Sequence, residues 1–429
     1  MFSGSKAVLV RDTFDGSTSK ASLCSVCKWC VLALGISSIG LSAPLFAQQN
    51  NALSVKVGEA DLTPAVRLDF VSISNAFLTP DDETSVTGYI VSPEATLEAN
   101  RRLLQFTLGY SGSFAGFSED VLDYNDHTFT ARVNATGATR HRANATLELV
   151  RSHDEIGDNL TLLIGDQEGD LIERFNTIFR ANYIFGASAA KGNVILGLFA
   201  RDETFLNRSD VTDGRDLTLV APFARFAYRL SGDSRFFAEL RFRSLDFENE
   251  VNDRSEIVTS LGLSFSGTGR TGGEARIGVT NADFSEENVD DATLITAEVD
   301  LFFQPSSISR FDIRFERELD DLNSFNSGGL SSDTIDDDLA ITWRYDWSSF
   351  VTTRASLAAE WRRRDCPTVG TQTTTAGFEI GLKPRRWIEL GAGVQADQRG
   401  DDDCQLAAGE SVDFSYDRQI FNVFVRATL

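Results

Sequence analysis

Apolar and polar side chains alternate in successive segments of about ten residues, from residue 61 to the end of the chain. In the last segment, Phe421, Val423, Val425, Ala427 and Leu429 share one face. The other face carries Asn422, Arg426 and Thr428, and Phe424 breaks the pattern. A period of two is the signature of β-strands, so the chain is predicted to be all-β.

The connections between these segments alternate in length and chemistry. One set is short and often basic, at residues 100–102, 140–142, 231–234, 269–272 and 383–386. The other is longer and acidic, at residues 80–83, 118–126, 154–170, 207–216, 248–253, 286–291, 320–333 and 400–410. Short turns at one rim and long loops at the other are typical of a transmembrane barrel.

Lipid permits few structures for such a chain. Every backbone amide within a bilayer needs a partner inside the protein, so only helices and closed barrels span it. The longest apolar stretch, residues 31–47, is interrupted by Ser37, Ser38, Ser42 and Pro44, whereas a spanning helix needs about 20 apolar residues. The sequence therefore predicts a transmembrane antiparallel up-and-down β-barrel.

The predicted number of strands is about eighteen, an even number that suits such barrels. Their centres fall near residues 68, 91, 108, 132, 147, 179, 197, 224, 240, 262, 278, 299, 314, 341, 356, 378, 392 and 422. Sixteen is the alternative, because the first two segments and the segment 217–230, which contains Pro222, alternate less clearly. Either number leaves room for an aqueous lumen.

The N-terminal region predicts a secretory signal peptide. Lys28 precedes the apolar run 29–36, and small residues and Pro44 follow before Ala47, the pattern of a cleaved leader. We expect residues 1–47 to be an N-terminal extension and signal peptide, 48–60 a periplasmic polar segment and 61–429 the barrel. The alternative for Cys24, Cys27 and Cys30 is a metal site, but structural zinc normally needs a fourth ligand.

A net charge of −23 argues against nucleic acid as a partner. Instead, the predicted partners are outer-membrane lipid and the barrel-assembly machinery.

The polar face of the predicted strands carries both acids and arginines. The candidate lumen-lining residues are Arg132, Glu148, Arg180, Arg225, Glu239, Arg241, Arg243, Arg276, Glu298, Arg314, Glu316, Arg344, Arg354, Glu360, Arg362, Glu379, Glu389 and Arg426. Such a wall could set pore selectivity and bind sugar hydroxyls. The alternative is structural, with charges that pair across strands and satisfy one another.

Other residues are candidates for lesser roles. Cys366 and Cys404 lie in successive long loops and are a candidate disulfide. The aromatic residues Tyr183, Phe185, Trp343, Tyr345, Trp347 and Trp361 lie at strand ends and predict girdles at the membrane surface, the alternative being ordinary core packing.

Neither the acidic runs nor the histidines predict chemistry. The runs 336–338 and 401–403 lack the ligand spacing of a calcium loop, so solvated loops are expected. His127, His141 and His153 are expected at the surface or in a girdle. Acids adjoin His127 and His153, but such neighbours are common by chance, and no Gly-x-Ser-x-Gly motif supplies the serine of a hydrolase. No catalytic residue, cofactor or metal is predicted.

Four short motifs resemble a known family. They are Thr87-Gly88-Tyr89-Ile90-Val91-Ser92-Pro93-Glu94, Asp123-Tyr124-Asn125-Asp126-His127, Ser152-His153-Asp154-Glu155-Ile156-Gly157 and Tyr416-Asp417-Arg418-Gln419-Ile420-Phe421. The chain resembles the outer-membrane β-barrel proteins of bacterial exopolysaccharide operons, often called putative β-barrel porin 2. It departs from their pattern in ending on Leu429 rather than on an aromatic residue.

The resemblance implies a non-enzymatic outer-membrane pore or conduit associated with exopolysaccharide biosynthesis and export in a Gram-negative bacterium. Exopolysaccharide or its export machinery would then be a partner. The alternatives are a general or solute-selective diffusion porin and, further off, a barrel hydrolase or a structural surface protein.

Overall fold

The structure, a computed structural model, describes residues 54–80, 83–137, 139–154, 156, 171–248, 253–266, 269–285, 291–319, 335–364, 369–401, 404–405, 411–412 and 415–428. The predicted signal peptide, its cleavage site and the first three cysteines lie outside these residues. Within them, no helix combines the length and the apolar character that crossing a membrane requires.

Eighteen long strands form the fold, as predicted. They are β1 (Ala60–Ile73), β2 (Val86–Arg101), β3 (Leu104–Phe117), β4 (Tyr124–Thr136), β5 (His141–Asp154), β6 (Ile172–Phe185), β7 (Gly192–Phe205), β8 (Leu217–Ser231), β9 (Ser234–Phe247), β10 (Arg254–Ser266), β11 (Thr271–Phe284), β12 (Ala292–Ser306), β13 (Ser309–Leu319), β14 (Ile335–Asp346), β15 (Val351–Arg364), β16 (Val369–Arg385), β17 (Ile388–Asp401) and β18 (Tyr416–Thr428). A short strand, Val55–Val57, pairs with the start of β1.

The sheet closes on itself. Each strand pairs antiparallel with the next along the chain, and β1 pairs with β18 from Ala65 opposite Thr428 to Ile73 opposite Ile420. Closure leaves no free sheet edge among the eighteen strands, which satisfies the backbone hydrogen bonds that lipid would otherwise leave unpaired. The predicted transmembrane up-and-down barrel is therefore confirmed.

The two rims differ as the sequence predicts. At one, here called the short-turn rim, residues 102–103, 232–233 and 307–308 join successive strands. At the other, the long-loop rim, residues 74–85 and 206–216 do so. A single turn of α-helix, Ser209–Thr212, and a 3-10 turn, Asp120–Leu122, lie at the long-loop rim.

Pro222 lies inside β8, so the segment 217–230 forms a strand although it contains a proline. Between β8 and β9 the register runs through Phe223 opposite Arg241 and resumes at Val220 opposite Ser244, with no partners in between. Proline has no N–H to donate to the ladder. The interruption is local, because the strand pairs continuously on its other side, where Pro222 lies opposite Leu198.

The outer face of the barrel is apolar. Leu240, Ile277 and Ile295 are 55%, 60% and 61% exposed, and each lies next to a polar residue that is buried or half-buried. Apolar side chains that face outward from a closed barrel are the surface that lipid tails contact.

Aromatic rings gather on this outer face at the short-turn rim. Phe303, Phe311 and Trp343 stand in register on three strands, with ring centroids 6.3 and 6.1 Å apart. Tyr345 continues the row to Trp347, 4.6 Å away and 63% exposed. This arrangement agrees with a girdle rather than with core packing.

The other predicted girdle residues divide between the rims. Tyr183 and Phe185 are also exposed at the short-turn rim, and the Tyr183 hydroxyl lies 2.6 Å from Nδ1 of His141. Trp361 lies near the opposite end of β15.

The expectation that residues 336–338 form a solvated loop is wrong. They belong to β14, and Asp336 and Asp337 are buried. A carboxylate of Asp337 lies 3.5 Å from the Arg317 guanidinium. A run of acids reads as a loop in sequence, but cross-strand cations allow it to continue a strand.

Candidate functional site

The inner wall of the barrel is the candidate functional site. Along β8, the exposed residues Phe226 and Tyr228 alternate with the buried residues Arg225 and Ala227. Since successive side chains in a strand point to opposite faces, Arg225 lies on the inner face. The same alternation places buried charges inside along most of the strands.

Glu239 of β9 is the centre of the densest group of inner charges. Its carboxylate accepts hydrogen bonds from Arg225, Arg241 and Arg276, at 2.7, 2.8 and 3.1 Å. The residue is only 3% exposed. One carboxylate therefore holds three guanidinium groups from three strands.

The group extends beyond Glu239 to acids on β11 and β12. Arg225 also pairs with Glu274 at 3.0 Å, and Arg276 pairs with Glu298. Charged pairs of this kind form strong hydrogen bonds when they are shielded from water. We call these six residues, on β8, β9, β11 and β12, the Glu239 network.

Smaller ion pairs flank this network. Glu256 of β10 accepts from Arg243 at 2.9 Å and from Arg254 at 2.7 Å, and it is fully buried. On β13, Arg314 pairs with Glu316 at 2.5 Å.

A second network lies where the barrel closes. Arg67 of β1 donates to Asp69 through two nitrogens, at 2.8 to 3.1 Å, and lies 3.4 Å from Glu379 of β16. Asp69 also accepts from the amide of Asn422 at 2.9 Å. The contact between Arg67 and Glu379 crosses β17 and β18, so it joins strands that are not neighbours in the sheet.

Phe424, the exception in the C-terminal alternation, is part of this closure network. Its ring is buried on the inner face, and the Arg67 guanidinium lies 3.7 Å from the ring centroid. Gly391 stands directly opposite on β17, where a Cβ atom would collide with the ring. The glycine leaves the space that this large inward ring needs.

The same arrangement recurs on other strands. Phe237 lies opposite Gly262 with Arg225 4.0 Å from its ring centroid. Phe223 lies opposite Gly197 with Arg241 at 5.3 Å. Each unit combines an aromatic ring, an opposing glycine and a cation over the ring, so the charged networks rest partly on aromatic faces.

A third group of charges is buried near the long-loop rim of β5, β6 and β7. Arg174 is fully buried and lies 2.8 Å from Asp154, and Arg201 pairs with Glu203. Further toward the short-turn rim, Arg180 lies 3.4 Å from Glu148.

The structure thus places the sequence candidates as follows. Ion pairs hold Glu148, Arg180, Arg225, Glu239, Arg241, Arg243, Arg276, Glu298, Arg314, Glu316, Arg344, Glu379 and Arg426. Arg132, Arg354, Glu360 and Glu389 occupy inner-face positions opposite Thr146, Glu379, Thr373 and Arg426. Arg362 belongs to β15, but its side chain is outside the described residues.

Sequence reasoning missed several inner charges. They are Arg67, Asp69, Glu94, Asp154, Arg174, Arg201, Glu203, Arg254, Glu256, Glu274, Asp397 and Arg418, all buried. Period-two spacing was the available signal, since Glu274 is two residues from the recognised candidate Arg276, and Arg201 and Glu203 are two residues apart on one strand.

The histidines lie at the two rims. His141 belongs to the aromatic girdle, as expected. The surface expectation is wrong for His153, which is 7% exposed, with Nδ1 3.0 Å from Asp126 and the Tyr124 ring stacked at 4.0 Å. The contact with the Asp126 carboxylate satisfies the imidazole and explains why His153 can be buried at the end of a strand.

Asp216, in the connection between β7 and β8, also departs from an ordinary surface acid. Burial raises the pKa of its carboxyl above 3.8, and repulsion from Glu248 and Asp202 raises it further. The hydrogen bond that the carboxylate accepts from the Phe205 amide at 2.9 Å lowers the pKa, but by less. This rim therefore holds clustered acids.

The part of the chain that the structure describes contains neither a metal site nor both cysteines of the predicted disulfide. No group of three or more histidine, cysteine or acidic side chains there is arranged to hold a metal ion. Cys366 lies outside the described residues, so the predicted pairing with Cys404 stays a prediction.

Comparison with known proteins identifies a matching family. The family described as "Putative beta-barrel porin 2" matches residues 51–427. No curated protein matches the chain.

Among solved structures, OpdK from Pseudomonas aeruginosa is 10% identical, over 86% of this chain and 99% of its own, with a TM-score of 0.44. The copper transporter OprC is 9% identical, over 87% and 81%, with a TM-score of 0.47. The FrpB iron transporter from Neisseria meningitidis (F3-3 variant) is 9% identical, over 85% and 81%, with a TM-score of 0.41.

Proposed function

We propose that this chain, which belongs to the putative beta-barrel porin 2 family, is a conduit for exopolysaccharide export. The chain is a porin-like or transporter barrel of the outer membrane of a Gram-negative bacterium. What we propose beyond this is that the solute is an exopolysaccharide. The support comes from the resemblance of the four sequence motifs and from the chemistry of the inner wall.

The observation that carries the proposal is the pairing of opposite charges along the inner wall. A pore that selects ions of one sign carries a ring of the other sign. In the Glu239 network each guanidinium contacts a carboxylate instead, so three positive and three negative charges balance in this part of the wall.

Paired charges still bind uncharged, hydroxyl-rich solutes. A guanidinium has five N–H donors and a carboxylate accepts at two oxygens, so each retains sites for a hydroxyl after the ion pair forms. A polysaccharide presents hydroxyls at every unit, and a wall of alternating donors and acceptors offers it successive weak contacts. Weak contacts at many sites favour passage over retention.

The partners follow from the same proposal. Outer-membrane lipid would contact the apolar outer face, the barrel-assembly machinery would insert the chain, and polysaccharide or its export machinery would meet the lumen.

The test is deletion of the gene in the producing bacterium, with extracellular and periplasmic polysaccharide measured separately. Export predicts that extracellular polysaccharide falls sharply and is restored by the wild-type chain. Unchanged secretion together with slower uptake of small solutes would instead establish a diffusion porin. Planar-bilayer recordings of the purified barrel measure whether the lumen conducts.

A further inference from the structure

A small cavity lies in the inner wall beside the Glu239 network. Its floor is a row of three directly paired positions, Ser260 on β10, Gly278 on β11 and Thr296 on β12. Thr280 continues the floor toward the long-loop rim. The cavity measures about 70 Å³, room for several water molecules, since each needs roughly 10–15 Å³ by this measure.

Gly278 makes this space. A Cβ atom at that position would lie 2.9 Å from Cβ of Ser260 and 3.1 Å from Oγ1 of Thr296. Any larger residue would therefore press on both hydroxyl-bearing neighbours and fill the floor between them.

The floor is polar and short of partners. The hydroxyl oxygen of Ser260 is buried and has no hydrogen-bond partner among the described residues. A buried hydroxyl without a partner is costly, so a ligand atom or a water molecule that supplies the missing bond would be stabilised there.

The lining of the cavity carries charges of both signs. They are the guanidiniums of Arg201, Arg241, Arg243, Arg276 and Arg317 and the carboxylates of Glu298, Glu316 and Glu318. The five arginines pair with Glu203, Glu239, Glu256, Glu298 and Asp337, and Glu316 pairs with Arg314. Because these charges are already paired, a charged ligand would have to compete with an existing ion pair and gains little. An uncharged ligand with neighbouring hydroxyls could donate to the carboxylates and accept from the guanidiniums.

We propose that this cavity binds the hydroxyl edge of one unit of an uncharged sugar chain. The inference deepens the proposed function, on which its biological meaning rests, by locating the contact and naming the class of sugar. The cavity lies on the lumen side of the wall, where a passing chain would meet it.

Binding to the full-length barrel in detergent tests the proposal without requiring conduction. The probes are maltohexaose, an uncharged glucose oligomer, and a galacturonic acid oligomer of equal length, with isothermal titration calorimetry as the measurement. We expect maltohexaose to bind and the galacturonic acid oligomer to bind at least about tenfold more weakly.

The variant Thr280→Val/Thr296→Val removes two floor hydroxyls while keeping side-chain volume. We expect its affinity for maltohexaose to fall about tenfold or more, since each lost hydrogen bond weakens binding about fivefold. Thr96→Val is the matched control, because Thr96 is an inner-face residue with a buried, partnerless hydroxyl on β2, nine strands away around the barrel. It should leave binding within about twofold.

The remaining outcomes separate the two proposals. Heat-modifiable gel migration verifies that each variant folds, and Ser260→Ala replaces the double variant if that one does not. Equal binding by the double variant and the wild type, no binding of maltohexaose, or preference for the galacturonic acid oligomer would overturn the inference even if export is demonstrated. Unimpaired secretion after gene deletion, with hydroxyl-dependent binding intact, would refute export and leave the sugar site standing.

Discussion

Glu239→Gln is expected to be among the more damaging changes to the inner wall. The substitution keeps the size of the side chain but removes the charge that three arginines share. Because the group is only 3% exposed, water does little to replace that charge. Breaking a buried ion pair by removing one partner costs about 3–5 kcal/mol.

Glu239 contacts three arginines, but the free energy lost should be that of one broken ion pair rather than of three. Arg225 keeps its contact with Glu274 at 3.0 Å, and Arg276 keeps its pair with Glu298. The glutamine oxygen also remains able to accept one hydrogen bond. The lost free energy is therefore about that of one broken pair.

Urea unfolding of the barrel reconstituted in lipid bilayers measures this cost. The control is Glu173→Gln on β6, whose pair with Arg151 at 2.7 Å is 40% exposed at the arginine and 37% exposed at the glutamate. Exposed pairs contribute about 0–1 kcal/mol, so the control should lose at most about 1 kcal/mol. A Glu239→Gln variant as stable as the control would refute the reasoning, because it would mean that lumen water screens the network.

Further expected outcomes concern the aromatic units and the long-loop rim. Phe424→Ala should destabilise the barrel by about 3–5 kcal/mol in the same assay, as large-to-small changes in packed sites do, whereas Phe421→Ala, whose ring is 53% exposed on the lipid side, should cost clearly less; equal losses would contradict the packing of the inner ring. Gly391→Ala should lower the free energy of unfolding by about 1–3 kcal/mol through overpacking. The same change should cost less when Phe424 is already alanine, because the ring is gone. A double-mutant cycle that shows no coupling between the two positions would disprove the contact. Asp216→Asn keeps an oxygen for the Phe205 amide; because the pKa of Asp216 is raised, the stability that its protonated form contributes is present below pH 3.8 and is lost as the pH rises through the raised value. The stability of the variant relative to the wild type should therefore rise as the pH increases from 3.8 through the raised pKa. A difference in urea midpoint between the two proteins that does not change with pH would refute the shift.

The strands were predictable because two constraints act locally. A period of two reports which face of each segment is apolar, and lipid requires every amide to be paired. Even the segment with Pro222 forms a strand, since one missing donor interrupts only one ladder. The same period placed residues such as Arg225 and Glu239 on one face without any knowledge of their partners.

Partner choice depended on the closed sheet instead. Arg67 and Glu379 lie 312 positions apart and meet across two intervening strands, a contact set by the stagger and curvature of the barrel. Phe424 appears as a fault in the alternation until Gly391 is placed opposite it, and the acids of residues 336–338 resemble a loop until Arg317 is placed beside Asp337.

The sequence by itself therefore determined a closed barrel of about eighteen strands, the order in which they pair and the inner face of the charges that the alternation singled out, because these follow from neighbours along the chain. Only the tertiary structure decided which charges neutralise one another, where glycine makes room for an inward ring and where the wall leaves a cavity. Those features depend on register between strands, and register fixes distances that a one-dimensional pattern does not contain.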